Sequence, residues 1–160
     1  MDARSIRRRY LYAGLLLVAI ALALFIGLRA LRSGSDARPP EQVVDAFFSA
    51  LQSGNAAQAL SLLSPDAEVF EMGFVDRTRQ DYASNHLPGD LAAAVGAQRE
   101  LTSRKLGGSG DYRWMLSTYR LTGDNIGPVK SMVMTETAIV RQIGDGWQIV
   151  HLHWSLDLTQ

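Results

Sequence analysis

The second half of the sequence, from Gln98 onward, is a succession of strands and short turns, and this feature limits the possible folds most. Glycine-containing turns, such as Gly144-Asp145-Gly146, separate four β-rich stretches. These stretches cover about residues 99–106, 111–122, 129–143 and 147–156. Because links this short allow only antiparallel pairing of neighbours, we predict an antiparallel meander.

The last of these strands, Gly146–Ser155, is apolar on both faces and carries two of the three histidines, His151 and His153. Side chains alternate along a strand, so every second residue shares a face. The predicted faces hold Trp147, Ile149, His151 and His153 on one side and Val150, Leu152 and Trp154 on the other. We therefore expect both faces of this strand to be covered.

Two helical patterns precede the sheet. A helix that begins at Pro39-Pro40-Glu41 has an apolar stripe at helical spacing. The stripe consists of Val43, Val44, Phe47, Phe48 and Leu51. A second helix, Ala56–Leu63, follows with Asn55 as its predicted cap.

A short strand pair and a third helix complete the predicted elements. The strand Glu68–Gly73 has a short partner at Phe74–Asp76, and the helix runs from Arg79 to about Val95 with an interruption at Pro88. This order of elements predicts an α+β domain, with about three helices on one side of a curved antiparallel sheet.

Tyr10 to Leu28 form a run of nineteen residues without charge. As a helix this run would be roughly 28 Å long, close to the thickness of a bilayer's hydrocarbon core. A cleaved signal peptide, an uncleaved anchor and a buried core helix are the alternatives. A core helix should have a polar stripe, and a signal peptide usually has a shorter apolar run. We favour a transmembrane anchor at residues 10–28, behind a basic flank at residues 1–9.

The arginines around this run predict the orientation of the chain. Four of them precede it and three follow it, which favours a cytoplasmic N-terminus by the positive-inside rule. Residues 29–39 are then a polar linker and residues 40–158 the folded domain. We expect a single-pass protein of the cell membrane that contacts the lipid bilayer through residues 10–28 and holds its domain outside the cytoplasm.

The charge of the folded part excludes one class of partner. Up to Arg38 the chain has seven arginines against Asp2 and Asp36, whereas the remainder has nine basic and fourteen acidic residues, a net charge of −5. An acidic domain argues against nucleic-acid binding, which depends on clustered Lys and Arg. The chain has no cysteine, so disulfides and thiolate metal sites are excluded.

The closing segment Asp145-Gly146-Trp147-Gln148-Ile149-Val150-His151-Leu152-His153-Trp154-Ser155 and the helix pair before Asp66-Ala67-Glu68-Val69 resemble the SnoaL-like branch of the nuclear transport factor 2-like superfamily. The resemblance covers about residues 40–157. It implies a cone-shaped α+β fold, often homodimeric, with a pocket between the concave side of a curved sheet and the helices. The family includes isomerases, dehydratases, cyclases and non-catalytic assembly modules, so no single activity is implied.

A second resemblance lies in the third helix. The segment Arg79-x-x-Tyr82-x-x-x-His86-Leu87-x-x-Asp90 is similar to a pattern of one bacterial subgroup, in which a second histidine stands where this chain has Asn85. That difference weakens the transfer of a metal site from the subgroup. The catalytic Tyr–Asp pair of the ketosteroid-isomerase relatives has no matching motif in this chain.

The histidines suggest a metal site. His151 and His153 are about 6.6 Å apart along one face of a strand, and His86 is a candidate third ligand. With Glu71 or Glu136 as a carboxylate ligand, such a site would suit divalent zinc, copper or iron. The alternative is that both strand histidines are half-buried and bonded to neighbours, or lie at a dimer interface.

Glu136 is the other residue that suggests chemistry, because a free charge in the middle of an apolar strand face is costly. Its neighbours on that face are Met132, Met134, Ala138 and Val140. Desolvation would make it a general acid or base, with Glu71 and His86 as further catalytic candidates. The alternative is a structural salt bridge to Arg120 or Arg113. The predicted pocket consists of Tyr82, His86, Trp114, Met134, Glu136, His151 and His153.

Three hypotheses about function follow. The favoured one is a membrane-anchored domain that binds a small ligand or a metal without turnover. The second is an acid–base enzyme of the isomerase or dehydratase type, which requires a carboxylate with a perturbed pKa and a histidine at one cavity. The third is a non-catalytic dimerisation or interaction module.

Overall fold

The computed structural model describes residues 38–124, 126 and 129–157. The predicted anchor at residues 10–28, its basic flank and most of the linker therefore lie outside the described residues. No helix in the described part of the chain is long and apolar enough to cross a membrane.

Four helices and six strands make up the described residues. The helices are α1 (Pro40–Gln52), α2 (Ala56–Leu62), α3 (Arg79–Asn85) and α4 (Leu87–Ala94). The strands are β1 (Leu63–Glu71), β2 (Phe74–Asp76), β3 (Gln98–Ser109), β4 (Tyr112–Thr122), β5 (Ser131–Ile143) and β6 (Gly146–Asp157). The α+β class and the six strands are as predicted. The single third helix is instead two helices, because Pro88 lies in the first turn of α4, where proline is tolerated.

The strands form one mixed sheet in the order β2-β1-β6-β5-β4-β3. From β3 to β6 the predicted antiparallel meander is present. The sheet is not wholly antiparallel, because β1 pairs in parallel with β6. Strands β2 to β5 and helices α3 and α4 separate these two strands in the chain, and a connection of this length permits parallel pairing.

A β-bulge in β6 changes the predicted faces of the last strand. Val140 pairs with Ile149 and Ile139 pairs with His151, so Val150 has no partner on β5. One extra residue reverses the alternation. Ile149 therefore shares the buried face with Leu152 and Trp154, whereas His151 and His153 lie on the opposite face, which we call the outer face.

The core lies between the helices and the other face of the sheet, which we call the inner face. The stripe of α1 is buried there as predicted, with Val43, Val44 and Phe47 fully buried. The predicted face of β5 is also confirmed. Its five residues, Met132, Met134, Glu136, Ala138 and Val140, are all at most 4% exposed. Asn55 caps α2, since its side chain accepts a hydrogen bond of 3.0 Å from the amide of Gln58.

Candidate functional site

A mainly apolar cavity of about 120 Å³ lies at the inner face of the sheet. Helices α1 and α4 and strands β5 and β6 supply its apolar walls, among them Phe48, Leu51, Ala94, Met132, Met134 and Trp154. Three ionisable side chains also reach this cavity, Glu71, Asp90 and Arg99. A few convergent polar groups in an otherwise apolar cavity are typical of small-molecule sites.

Two of these groups are neighbouring carboxyls from different elements. Glu71 ends β1, and Asp90 lies in the first turn of α4. Burial, and then the negative charge of Glu71, raise the pKa of Asp90 to about 7. The Oε2 atom of Glu71 is buried and has no hydrogen-bond partner among the described residues.

Tyr82 holds Asp90 in place. Its hydroxyl donates a hydrogen bond of 2.6 Å to Asp90 Oδ2, and the tyrosine is fully buried. Burial and the nearby Asp90 raise the pKa of Tyr82, so its phenol stays protonated and remains a donor. The helical segment that resembles the bacterial subgroup therefore joins its tyrosine directly to its aspartate.

Asp76 and His86 form a second polar pair. Asp76, at the end of β2, is buried and its Oδ2 lies 2.5 Å from His86 Nδ1. Asn85 donates a 2.8 Å hydrogen bond to the other oxygen of Asp76. Asn85, the residue that differs from the subgroup pattern, is thus a hydrogen-bond donor to the Asp76 carboxylate that also contacts His86. The charge of His86 also acts on Asp90, whose pKa it lowers.

Arg99, on β3, supplies the positive charge of the cavity. Its guanidinium lies 3.6 Å from the centroid of the Phe48 ring and 3.3 Å from that of the Tyr119 ring. Its Nη2 donates a 3.2 Å hydrogen bond to Glu136, while its Nε is buried without a partner among the described residues. The side chain is nine-tenths buried. Desolvation lowers the pKa of Arg99, and the carboxylate of Glu136 opposes that shift.

Arg99 belongs to a larger ionic network that joins β3, β4, β5 and α1. Tyr119 donates a 3.3 Å hydrogen bond to Glu136 and accepts one of 2.5 Å from Arg104. Arg104 also binds both oxygens of Asp45 on α1, at 2.7 and 3.1 Å. Burial raises the pKa of Glu136, and the positive charge of Arg99 counteracts it. Glu136 is thus paired, but with Arg99 and not with Arg120 or Arg113.

The sequence profile of the SnoaL-like domain matches residues 41–159. The chain belongs to this family. Among curated proteins none matches it significantly.

Solved structures with the nuclear transport factor 2-like fold agree with this SnoaL-like assignment. A candidate ketosteroid isomerase from Shewanella frigidimarina is 28% identical, with a TM-score of 0.67, and the match covers 77% of this chain and 98% of that one. A candidate dehydratase of the nuclear transport factor 2-like family from Streptomyces avermitilis is 20% identical, with a TM-score of 0.64, over 74% of this chain and 94% of that one. A candidate calcium/calmodulin-dependent protein kinase II association domain from Xanthomonas campestris is 19% identical, with a TM-score of 0.61, over 73% and 84%.

The SnoaL-like domain brings together part of the predicted pocket. Met134 and the catalytic candidate Glu71 line the cavity. Tyr82 and Glu136 do not line the cavity but are hydrogen-bonded to residues that do. Tyr82 bonds to Asp90, and Glu136 bonds to Arg99. His86 does not line the cavity and contacts Asp76 instead.

The other predicted pocket residues, Trp114, His151 and His153, lie on the outer face of the sheet instead. Phe70 packs between the two histidines, with ring centroids 5.2 Å from His151 and 6.1 Å from His153. Burial, and then the charge of His153, lower the pKa of His151. The three histidines do not converge, because the bulge at Val150 turns two of them away from His86. The described residues contain no group of three or more His, Cys, Asp or Glu placed to hold a metal ion.

Sequence reasoning missed Asp90 and Arg99 as cavity residues. Asp90 forms part of the recognised helical segment, but its partner Glu71 is distant in the chain. Arg99 lies on a strand whose other residues are mostly polar and exposed, so the pattern contains no sign of a buried cation. The hydrophobic pattern identifies the strands but not the neighbours of a single charged residue.

Proposed function

We propose that this domain is an acid–base enzyme that moves a proton to or from carbon in a small neutral ligand. The observation that carries the proposal is the pair of carboxyls, Glu71 and Asp90, in one apolar cavity. With a pKa of about 7, Asp90 can both accept and release a proton near neutral pH. This is the second of the three hypotheses from the sequence, with Asp90 as its central residue.

Each group near the cavity has a role in this proposal. Asp90 removes and returns the proton, and Tyr82 fixes the carboxyl by its hydrogen bond. Glu71 raises the proton affinity of Asp90 by its negative charge, so that the pair holds one proton. Arg99 faces the electron-rich oxygen that forms as the ligand loses its proton, since donors fixed in an apolar site stabilise such charge.

The size of the cavity limits the ligand. Pockets for drug-sized molecules have volumes of about 300–1,000 Å³, and this cavity is smaller at about 120 Å³. The two similar structures named as a candidate isomerase and a candidate dehydratase support acid–base chemistry in this fold. We expect a ligand of one small ring or a short chain.

Isomerisation of 3-cyclohexenone to conjugated 2-cyclohexenone is a suitable test. The reaction needs only removal of a proton at the α carbon and its return at the γ carbon, and ultraviolet absorbance follows it. We expect the purified full-length chain to accelerate it, with a rate that rises with pH through about 7 as Asp90 loses its proton. A folded protein that adds nothing to the buffer rate, and exchanges no α proton of cyclohexanone with D₂O, would contradict the proposal and favour binding without turnover.

We also propose that the outer face of the sheet binds a second copy of the chain. Trp114 is 39% and Leu116 45% exposed on this face. On strands β4 to β6 the centre of the face has no Lys, Arg, Asp or Glu and consists of Trp114, Leu116, Thr118, Thr135, Thr137, Ile139, His151 and His153. Lys105, beside Leu116, and Glu68, beside His151, border this centre. Two such centres can meet without burying an unpaired charge. The exposure and composition of this face support the homodimer that the family resemblance implies.

Leu116→Lys should therefore produce monomers, because it would place a charge in the centre of the interface. Sedimentation velocity of the full-length chain measures the change. Leu106→Lys is the matched control, since Leu106 is 53% exposed but pairs with buried Met115 and so lies on the inner side of the edge strand. A monomeric wild type, or a dimer that Leu116→Lys leaves intact, would exclude this interface.

The membrane anchor at residues 10–28 remains a proposal from the sequence, and it would place the enzyme at the cell membrane on the extracytoplasmic side. We expect the full-length chain to stay in the membrane fraction after an alkaline carbonate wash and to keep its N-terminus ahead of Tyr10. Release by the wash would contradict the anchor, and a mature N-terminus beyond Leu28 would show a cleaved signal peptide instead.

A further inference from the structure

We infer that the cavity takes a neutral carbonyl compound that also carries a hydroxyl group, with the carbonyl oxygen on Arg99 and the hydroxyl on Glu71. This inference rests on the proposed function, because it names the class of ligand for the same cavity.

Two unpartnered polar atoms define this ligand. Arg99 Nε is a donor and Glu71 Oε2 an acceptor, and each is buried with no hydrogen-bond partner among the described residues. Such atoms are rare in folded proteins, because a buried polar group without a partner is unfavourable. Both side chains line the same cavity. A ligand with one acceptor and one donor would satisfy both atoms at once.

The charges around the cavity favour a neutral ligand. Glu136 already pairs with Arg99, and Asp45 with Arg104, so the network has no unpaired positive charge to offer an anion. The Glu71–Asp90 pair has one negative charge when Asp90 is protonated. A carboxylate ligand would add a second negative charge in an apolar space, which is costly. An ammonium group would also lose its hydration in this apolar space, and it has no acceptor to offer Arg99 Nε.

The apolar walls determine the rest of the ligand. Phe48, Leu51 and Met132 are among the side chains that surround the cavity, and they favour a hydrocarbon body between the two polar ends. A cyclohexane ring with a ketone and a hydroxyl has this composition. The ring also has α protons next to its carbonyl, which the carboxyl pair can remove.

Four neutral probes and one anion test the inference on the full-length chain. The neutral probes are 3-hydroxycyclohexanone, 4-hydroxycyclohexanone, cyclohexanone and cyclohexanol, and cyclohexanecarboxylate is the anion. By NMR titration we expect at least one hydroxyketone to bind about tenfold more tightly than either single-function compound, as one added hydrogen bond predicts. Cyclohexanecarboxylate should bind most weakly.

Two variants assign the ends of the ligand. Glu71→Met should abolish the advantage of the hydroxyketone over cyclohexanone. The double variant Arg99→Met/Glu136→Gln removes both charges of the buried ion pair. It should abolish the tighter binding of the hydroxyketone relative to cyclohexanol. Circular dichroism checks that each variant is folded. The Arg99 Nε–H resonance of the wild type gives a readout without substitution, since ketones should shift it and cyclohexanol should not.

The outcomes separate this inference from the proposed function. Tighter binding of the carboxylate, a hydroxyketone preference that survives both variants, or failure of every probe to bind would overturn the ligand class. Selective binding without any isomerisation or proton exchange would support the ligand class while contradicting the enzyme proposal.

Discussion

Replacing Glu136 with alanine should destabilise the domain by about 3–5 kcal/mol, the range found when one partner of a buried ion pair is removed. The substitution leaves Arg99 buried without its carboxylate, and the Nε of Arg99 already has no partner. It also removes the acceptor of the Tyr119 hydroxyl. Urea denaturation of the full-length chain measures the free energy of unfolding.

The double variant Arg99→Met/Glu136→Gln separates the uncompensated charge from the lost contacts. It removes both charges, so we expect a loss of only about 1–2 kcal/mol, since replacing a buried ion pair by groups of similar volume is often nearly neutral. Glu100→Ala, at the exposed neighbour of Arg99, is the surface control and should change stability by less than about 0.5 kcal/mol. A loss below about 1 kcal/mol in Glu136→Ala would mean that Glu136 is not ionised and paired in the folded domain.

The fold was predictable from the sequence because its signals are local and repeated. The stripe of α1 and the alternating face of β5 each contain five apolar or buried positions at regular spacing, and such patterns tolerate single exceptions. The faces of β6 were predicted only in part, because one extra residue at Val150 reverses the alternation. A bulge of this kind leaves no sign in the pattern of a strand that is apolar on both faces.

The site was less predictable because its partners come from different elements. Glu71 closes β1 and Asp90 opens α4, and their proximity depends on how α3 and α4 fold back on the sheet. Glu136 was recognised as a buried charge that needs a partner, but Arg99 reaches it from β3, across the intervening strand β4. Sequence spacing can indicate that a charge is buried without indicating which cation compensates it.

Asp90→Asn should make the protein more stable above neutral pH and slow its catalysis. The pKa of Asp90 is raised from 3.8 to about 7, so the folded state keeps a proton that the unfolded state releases between these values. Wild-type stability should therefore fall as pH rises from about 4 to about 7, by at most about 4 kcal/mol at 1.36 kcal/mol for each pH unit. Asparagine cannot ionise and still accepts from Tyr82, so the variant should lose this pH dependence. Urea denaturation at pH 5 and pH 8 measures it.

The same variant should slow the isomerisation of 3-cyclohexenone by about 10²–10⁴-fold, the usual contribution of a general acid or base. If the variant protein is more stable but isomerises its substrate more slowly, Asp90 lowers the stability of the fold and is needed for the reaction. If Asp90 were purely structural, its substitution would make the protein less stable. Glu100→Gln, which removes one exposed carboxylate on β3, is the matched control and should alter neither quantity. If Asp90→Asn lowers stability at pH 8, Asp90 is an ionised structural partner of Tyr82, and proton transfer must depend on Glu71 alone.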